Sequence, residues 1–114
     1  TGDGGFLYHL TELETAARYG ISVVVVVNDN HSLNQETRGI AAAYGANRPE
    51  TSKDMWVFKE LDYADVARSM GCSGVRVERP NDLAPALATA FASNRLTVID
   101  VVSDIEALAP TAWG

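Results

Sequence analysis

The chain has 114 residues, enough for one domain, and 46% of them are apolar, enough for a sizeable hydrophobic core. Its formal net charge of −6 and the lack of a Lys/Arg cluster argue against a nucleic-acid partner. The single cysteine, Cys72, excludes an internal disulfide framework and favours a reducing, cytoplasmic location. The longest strongly apolar run, residues 21–27, is too short to cross a bilayer, so no membrane association is expected.

The first half of the chain predicts a helix, a strand and a second helix. Apolar residues recur every three to four positions over 6–19, which is typical of a helix with one buried face. Residues 21–27 form a β-branched run that suits a parallel strand covered on both faces. Residues 28–34 are polar and turn-like, and residues 36–44 predict a short helix.

The second half predicts two further helix–strand pairs after a polar insert. Residues 47–54 are expected to form a mobile surface loop, and residues 56–61 show no clear period. Asp62 is a candidate N-cap for a helix that ends near residue 70. The remaining predicted elements are a strand over 74–78, a helix over 80–93, a strand over 96–102 and an irregular tail over 103–114.

This alternation of helices and strands predicts an α/β fold, with a parallel sheet flanked by helices and right-handed crossovers. The chain opens on a glycine loop, residues 2–5, without a strand before it, so the sheet is expected to lack its first strand. In open sheets of this class, ligands bind at the carboxyl ends of the strands. The glycine loop and the polar loop after the valine-rich strand are therefore the two loops expected to carry function.

These two loops carry groups that bind anions and hard cations. The glycine loop precedes a helix, so its backbone N–H groups and the helix dipole favour a phosphate that can approach closely. Asp3 offers a carboxylate and Asn30 an amide oxygen. Mg²⁺ prefers such oxygen ligands together with phosphate oxygens and water. Either loop alone is usually an ordinary turn, but their combination around a buried strand predicts a Mg²⁺–diphosphate site.

The Gly-Asp-Gly run at residues 2–4 and the Asn-containing pair that ends at Asn30 resemble the thiamine-diphosphate-binding motif. The resemblance is closest to the C-terminal diphosphate-binding domain of the acetolactate synthase and 2-oxo acid decarboxylase group. It extends from residue 1 to about residue 104, and residues 46–60 are least like the family. The whole chain, residues 1–114, is accordingly interpreted as a fragment of such a domain from a larger enzyme.

The resemblance implies a role for each residue that matches the motif. Asp3 and Asn30 would be side-chain ligands of Mg²⁺, and the main-chain carbonyl of Ser32 would be the third protein ligand. Gly4 and Gly5 would contact the diphosphate through their N–H groups. The cofactor-binding residues implied in this way are Gly2, Asp3, Gly4, Gly5, Asn30, Ser32 and Leu33.

Three further positions deserve a functional and a structural interpretation. His31 lies inside the second loop and is a candidate catalytic proton donor, since histidine is the side chain that most often transfers protons near neutral pH. Alternatively, it is a loop histidine that faces solvent. Asn34 and its neighbours could line the mouth of the site or serve ordinary loop-to-helix packing. Cys72 has no catalytic partner nearby and is expected to be structural. Zinc spacings, the P-loop lysine pattern and GxGxxG are absent from the sequence.

The resemblance also implies the chemistry. The enzyme would be a lyase or transferase that decarboxylates a 2-oxo acid or ligates it to a second carbonyl, with the acetolactate-synthase-like reaction slightly favoured. Thiamine diphosphate and Mg²⁺ would be its cofactors; FAD is compatible with such enzymes but is not indicated by this segment. A pyrimidine-binding domain, usually from a second subunit, would complete the site, which implies a homodimer or homotetramer.

Two alternatives remain open at the level of the sequence. The same α/β pattern would serve a flavodoxin-like binding or regulatory domain with a vestigial cofactor site and no catalysis, because a fold does not determine a function. A different phosphate ligand, such as a nucleotide, could bind at the same loops. Joint retention of Asp3 and Asn30 favours the enzyme.

Overall fold

The computed structural model describes residues 1–45 and 49–107. Three parallel strands form its sheet: β1 (Val24–Asp29), β2 (Ser73–Val77) and β3 (Thr97–Val102). The strand order is β1-β3-β2, which places the last strand of the chain in the centre. The predicted α/β fold with a parallel sheet is therefore confirmed.

Two helices precede β1, and the other helices alternate with the strands along the chain. None of those in the described ranges is long and apolar enough to cross a membrane. The three helices predicted after β1 begin and end within one or two residues of the expected positions. In chain order the helices are α1 (Asp3–Leu7), α2 (Glu12–Arg18), α3 (Glu36–Tyr44), a 3₁₀ helix (Glu50–Met55), α4 (Tyr63–Ser69) and α5 (Pro80–Ala92).

The prediction of a single first helix over 6–19 is wrong. The chain forms α1 and α2 instead. Since α1 begins at Asp3, residues 3–5 of the predicted glycine loop are the first turn of a helix. A tight turn with hydrogen bonds to the third residue back joins the two helices. The His9 N–H donates to the Phe6 carbonyl and the Glu12 N–H to the His9 carbonyl, both at 3.0 Å. This turn lets Phe6 and Leu13 both reach the core. A three-residue spacing fits either geometry, so apolar periodicity did not reveal the break.

The valine-rich strand lies further along the chain than predicted. It was expected over 21–27, with a turn from residue 28, whereas Asn28 and Asp29 belong to β1 and pair with Val101 and Val102. Backbone pairing with β3 continues through these polar residues because the ladder uses peptide groups rather than side chains. The functional loop therefore begins at residue 30.

Side chains alternate between the two faces of the sheet, and helices cover both. One core cluster lies on the side of α1, α2 and α4, where the Phe6 ring meets the Tyr63 ring edge-on with centroids 5.5 Å apart. The other lies on the side of α5. This agrees with the doubly covered strand that the valine run predicted. The first cluster consists of Phe6, Leu13, Val27, Tyr63, Ala67, Cys72, Leu96 and Val98, and the second is built on Val77, Ala90 and Ile99.

Thr1 and Gly2 lie along the outer edge of β1. The N-terminal amine donates to the Val26 carbonyl at 2.9 Å, and the Asn28 N–H donates to the Thr1 carbonyl at 2.8 Å. Gly2 pairs with Asn28 in a parallel bridge. These two residues thus occupy the end of the edge position where the sequence predicted a missing first strand. The pairing also brings the glycine loop to the carboxyl end of β1.

Three less regular predictions have mixed outcomes. The surface loop expected over 47–54 is partly the 3₁₀ helix, while residues 46–48 lie outside the described residues, and its mobility stays a prediction. Within the unassigned stretch 56–61, Val57 pairs with Ser32 in an antiparallel bridge. The tail is irregular over 103–107, and residues 108–114 lie outside the described residues.

Gly74 provides a test of the packing between α4 and β2. A Cβ at this position would lie 2.1 Å from the carbonyl oxygen of Ala64 and 2.9 Å from its Cα. Because helix backbone cannot yield as a side-chain tip does, Gly74→Ala should lower the free energy of unfolding by roughly 1–3 kcal/mol or more. Thermal unfolding of the full-length protein measures this change.

Gly39→Ala in α3 is the matched control. A Cβ there meets nothing within 4 Å, and alanine is favoured over glycine inside a helix by about 1 kcal/mol. The control should therefore unfold at the wild-type temperature or above it. A Gly74→Ala protein that melts together with the control would contradict the close approach of α4.

Candidate functional site

Asp3 joins the two loops that the sequence singled out. Its side chain is buried at the start of α1, with 2% of the residue exposed. Oδ1 accepts the Gly4 N–H at 2.8 Å, and Oδ2 accepts the Ser32 N–H at 2.9 Å. Each carboxylate oxygen keeps a further lone pair after these bonds, as a carboxylate that also binds a cation requires. Asp3 and Ser32 therefore lie next to each other, as predicted.

The second loop is held on its other side by the segment after the 3₁₀ helix. Ser32 and Val57 form an antiparallel bridge, and its two flanking hydrogen bonds, 2.7 and 2.8 Å long, use the peptide groups of neighbouring residues. In such a pair, a residue directs both its N–H and its C=O either toward its partner or away from it. Since the Ser32 N–H points to Asp3, its carbonyl faces the same side. The Ser32 hydroxyl is buried without a hydrogen-bond partner.

Gly4 and Leu33, both expected near the cofactor, lie against each other. A Cβ on Gly4 would lie 2.4 Å from Leu33 Cδ2, so the leucine fills the space that a side chain would need. The Gly4 N–H, expected to contact a diphosphate, donates to Asp3 in this structure. A phosphate contact from Gly4 would therefore share that N–H with the Asp3 carboxylate. Asn30 is half-buried where the second loop begins.

His31 faces the interior rather than solvent. Its backbone has a φ of 55°, which is uncommon for a residue other than glycine, and its N–H donates to Asp29 Oδ1 at 3.1 Å. The ring atom Nδ1 also lies 3.0 Å from this oxygen, although it lacks hydrogen-bond alignment. The side chain is 22% exposed. The alternative in which His31 faces solvent therefore does not match the structure. A catalytic role for His31 stays a prediction.

A cluster of buried charges lies beneath the loop, and sequence reasoning missed it. Asp29 and Asp100 are fully buried, and Arg76 Nη1 lies 2.7 Å from Asp100 Oδ2 and 3.8 Å from Asp29 Oδ2. The Tyr63 N–H also donates to Asp100 Oδ2, at 3.1 Å. The signal available in the sequence was a charged residue inside an otherwise apolar strand. In the structure Arg76 and Asp100 are direct cross-strand partners.

This cluster holds two buried carboxylates, Asp29 and Asp100, and one arginine, Arg76. Asp29 Oδ2, Asp100 Oδ1 and the Tyr63 hydroxyl are buried without hydrogen-bond partners. Burial, reinforced by the neighbouring Asp100 charge and opposed by the hydrogen bond from His31, raises the pKa of Asp29 to about 6. Burial and nearby carboxylates also raise the pKa of Tyr63. The interior below the loop is therefore poor in positive charge.

The groups at the site that could coordinate a metal ion are hard oxygen ligands. Among residues 1–45 and 49–107, no group of three or more His, Cys, Asp or Glu side chains is arranged to hold a metal ion. A cation here would rely on the Asp3 carboxylate, the Asn30 amide and backbone carbonyls. Such a set fits Mg²⁺, which takes few protein ligands and completes its shell with phosphate and water. The buried carboxylates beneath the loop would also favour a cation at this site.

Two other residues, Asn34 and Cys72, make contacts that hold the fold together. The Asn34 amide donates to the Ile105 carbonyl at 2.8 Å, which ties the loop to the chain after β3. Cys72 is buried in the first core cluster with Sγ 3.6 Å from the Leu13 carbonyl, and burial raises the pKa of its thiol. Both arrangements agree with the structural interpretation of these residues.

Comparisons with known proteins identify the family of this chain. Residues 1–101 match the family described as "Thiamine pyrophosphate enzyme, C-terminal TPP binding domain". The acetolactate synthase large subunit of Haemophilus influenzae is 31% identical over 105 residues, which are 91% of this chain and 18% of that protein. The 2-hydroxyacyl-CoA lyase of Arabidopsis thaliana is 31% identical over 104 residues, 90% of this chain and 18% of that protein.

Solved structures show the same fold. A thiamine diphosphate-dependent 4-hydroxybenzoylformate decarboxylase from Rhodococcus jostii RHA1 matches with a TM-score of 0.76 and 26% identity, over 91% of this chain and 19% of that one. A benzoylformate decarboxylase from Polynucleobacter necessarius matches with a TM-score of 0.80 over 97% of this chain and 20% of that one; at 23% identity it supports the fold alone. The chain thus spans about a fifth of the length of these relatives.

The raised pKa of Asp29 makes a prediction about stability in the absence of metal. The folded state holds the Asp29 proton up to about pH 6, whereas the unfolded state releases it near the ordinary value of 3.8. Ionisation of Asp29 therefore costs stability as pH rises from about 4 to about 6. Asp29→Asn, which cannot ionise, should be spared this loss, with an upper limit of about 3 kcal/mol above pH 6.

Thermal unfolding of the full-length protein with a chelator, at pH 4 and pH 7, measures this difference. The stability gain of Asp29→Asn over wild type should grow between the two pH values. Asp54→Asn, at an exposed carboxylate, is the control and should show no such growth. Parallel pH dependences for wild type and Asp29→Asn would refute the prediction.

Proposed function

Since this chain belongs to the thiamine pyrophosphate enzyme family, as a C-terminal TPP-binding domain, we propose that it anchors thiamine diphosphate by its Mg²⁺–diphosphate end. The observation that carries the proposal is the buried Asp3 carboxylate, which bridges the glycine loop and the second loop. A carboxylate so placed sits beside both a phosphate-binding backbone and oxygen ligands for the metal.

In this proposal three oxygens of the chain bind Mg²⁺: the Asp3 carboxylate, the Asn30 amide oxygen and the Ser32 carbonyl. The shared orientation of the Ser32 N–H and C=O toward Asp3 supports the last of these. Gly4 and Gly5 offer N–H groups to the diphosphate, and Leu33 packs against Gly4 to shape the loop. Gly2 completes the predicted cofactor-binding set through its bridge to β1.

The proposed reaction is the decarboxylation of a 2-oxo acid, its ligation to a second carbonyl, or both. Thiamine diphosphate, when bound, supplies the carbanion and the electron sink for such chemistry. The matched relatives include proteins named acetolactate synthase, 2-hydroxyacyl-CoA lyase and 4-hydroxybenzoylformate decarboxylase. The acetolactate synthase names support a carboligase of that type. His31, which belongs to the second loop and has a largely buried side chain, is the candidate proton donor.

The complete site is proposed to include a pyrimidine-binding domain from a second subunit, in a cytoplasmic homodimer or homotetramer. The chain spans about a fifth of its matched relatives, so most of the proposed machinery would belong to other parts of such an enzyme. The vestigial alternative finds less support, because both proposed side-chain ligands, Asp3 and Asn30, are retained.

The first test is binding of the cofactor. The full-length protein should bind thiamine diphosphate only when Mg²⁺ is present, as measured by titration calorimetry. Asp3→Ala should abolish this binding, because it removes a metal ligand and the acceptor for two backbone N–H groups. Asp65→Ala, at an exposed carboxylate on α4, is the matched control and should bind as wild type does. Wild-type affinity in Asp3→Ala would disprove the proposed site.

The second test concerns the 114 residues alone. Without a pyrimidine-binding domain to activate the cofactor, the isolated chain should produce no sustained CO₂ release from pyruvate with thiamine diphosphate and Mg²⁺. Sustained turnover by the isolated chain, measured in a coupled CO₂ assay, would contradict the proposed division of labour.

A further inference from the structure

We propose that Arg76 is a positioning residue for the second loop, residues 30–32, and acts on it through Asp29. The inference rests on the proposed function, because this loop carries the proposed ligands Asn30 and Ser32. Arg76 itself lies on β2, two strands away from the loop, and belongs to neither of the loops that carry the proposed ligands.

The first step is that one charge network crosses all three strands. Arg76 on β2 pairs directly with Asp100 on β3, which pairs in turn with Val27 on β1. Side chains alternate along a strand, so Asp29 projects from the same face as Val27 and reaches the network. Arg76 Nη1 is 2.7 Å from Asp100 Oδ2 and 3.8 Å from Asp29 Oδ2.

The second step is that Asp29 shapes the loop. Its Oδ1 accepts the backbone N–H of His31 at 3.1 Å, and His31 has the uncommon φ of 55°. A residue other than glycine keeps such a conformation only when its surroundings hold it there. The next residue, Ser32, then directs its N–H to Asp3 at 2.9 Å. The contacts run without interruption from Arg76 to the proposed metal ligand Asp3.

The third step is the charge balance. Asp29 and Asp100 are both fully buried, where water screens their charges little. Within the described residues, the ion pairs to these two carboxylates come from Arg76 and, for Asp29 alone, from His31. Arg76 Nη1 lies within 4 Å of an oxygen on each carboxylate, so its charge attracts Asp29 as well as Asp100 and steadies the turn that Asp29 holds.

The decisive variant removes the attraction of Arg76 for Asp29 without leaving Asp100 as an unpaired buried charge. Arg76→Met by itself would strand Asp100 and risk unfolding, so the test uses Arg76→Met combined with Asp100→Asn. The asparagine keeps an oxygen to accept the Tyr63 N–H. The matched control is Arg18→Met combined with Glu14→Gln, an exposed arginine–glutamate pair on α2.

Hydrogen exchange of the ligand-free, full-length protein, read by mass spectrometry, reports the loop directly. In the Arg76/Asp100 variant, the peptide that contains His31 and Ser32 should exchange about tenfold faster than in wild type. Exchange in α5 should not change. Loop exchange within about twofold of wild type, or equal acceleration in α5, would overturn the proposal, since Arg76 would then have no effect or only a general stabilising one.

Calorimetry with thiamine diphosphate and Mg²⁺ connects the loop to the cofactor. The Arg76/Asp100 variant should bind about tenfold more weakly, as expected when a residue behind a metal ligand is removed, while the control pair binds normally. Unchanged affinity despite faster loop exchange would refute a role for Arg76 in cofactor binding. If the wild-type protein bound no thiamine diphosphate, the proposed function would fail, whereas the exchange data would still decide whether Arg76 positions the loop.

Discussion

The site depends on one buried carboxylate. Asp3 accepts one N–H from its own loop and one from Ser32, 29 residues further on. Two other pairings bring it there: Thr1 and Gly2 align with the end of β1, and Ser32 pairs with Val57 from the segment after the 3₁₀ helix. Three parts of the chain that are distant in sequence therefore converge on one side chain. Without its two acceptors, buried N–H groups in both loops would lose their partners, which costs more than the hydrogen bonds themselves contribute.

The second constraint is the charge placed inside an apolar sheet. Burying Arg76, Asp100 and Asp29 costs desolvation energy, and apolar side chains at these positions would often stabilise a fold equally well or better. The network also leaves two carboxylate oxygens, Asp29 Oδ2 and Asp100 Oδ1, without a hydrogen bond. Stability therefore does not explain this charge network, whereas the positioning of the loop at the carboxyl end of β1 does explain it. A set of charges that spans three strands also resists slippage of the strands, because each partner has one correct register.

Much of the fold was visible in the sequence because local signals determined it. Asp62 caps α4 as predicted, with Oδ1 accepting the Asp65 N–H at 2.7 Å, and the α3 prediction matches Glu36–Tyr44. The break between α1 and α2 could not be recognised in the sequence, because apolar residues three apart fit both an α-helix and a turn with hydrogen bonds to the third residue back. Of the site, the two loops and the proximity of Asp3 to Ser32 were predictable from spacing and resemblance. The charge network was not, because it depends on the register of β2 against β3, which one sequence does not reveal.

The approach of α4 to β2 has a consequence for comparing sequences. With the Ala64 carbonyl only 2.1 Å from where a Cβ on Gly74 would be, the helix and the strand are in direct backbone contact. Tyr63, the first residue of α4, is also held by Asp100 in the neighbouring strand. A relative with any larger residue at position 74 must therefore carry α4 farther from the sheet, with a different link to the charged strand. One position thus sorts relatives into those that keep this arrangement of helix and charge and those that have replaced it.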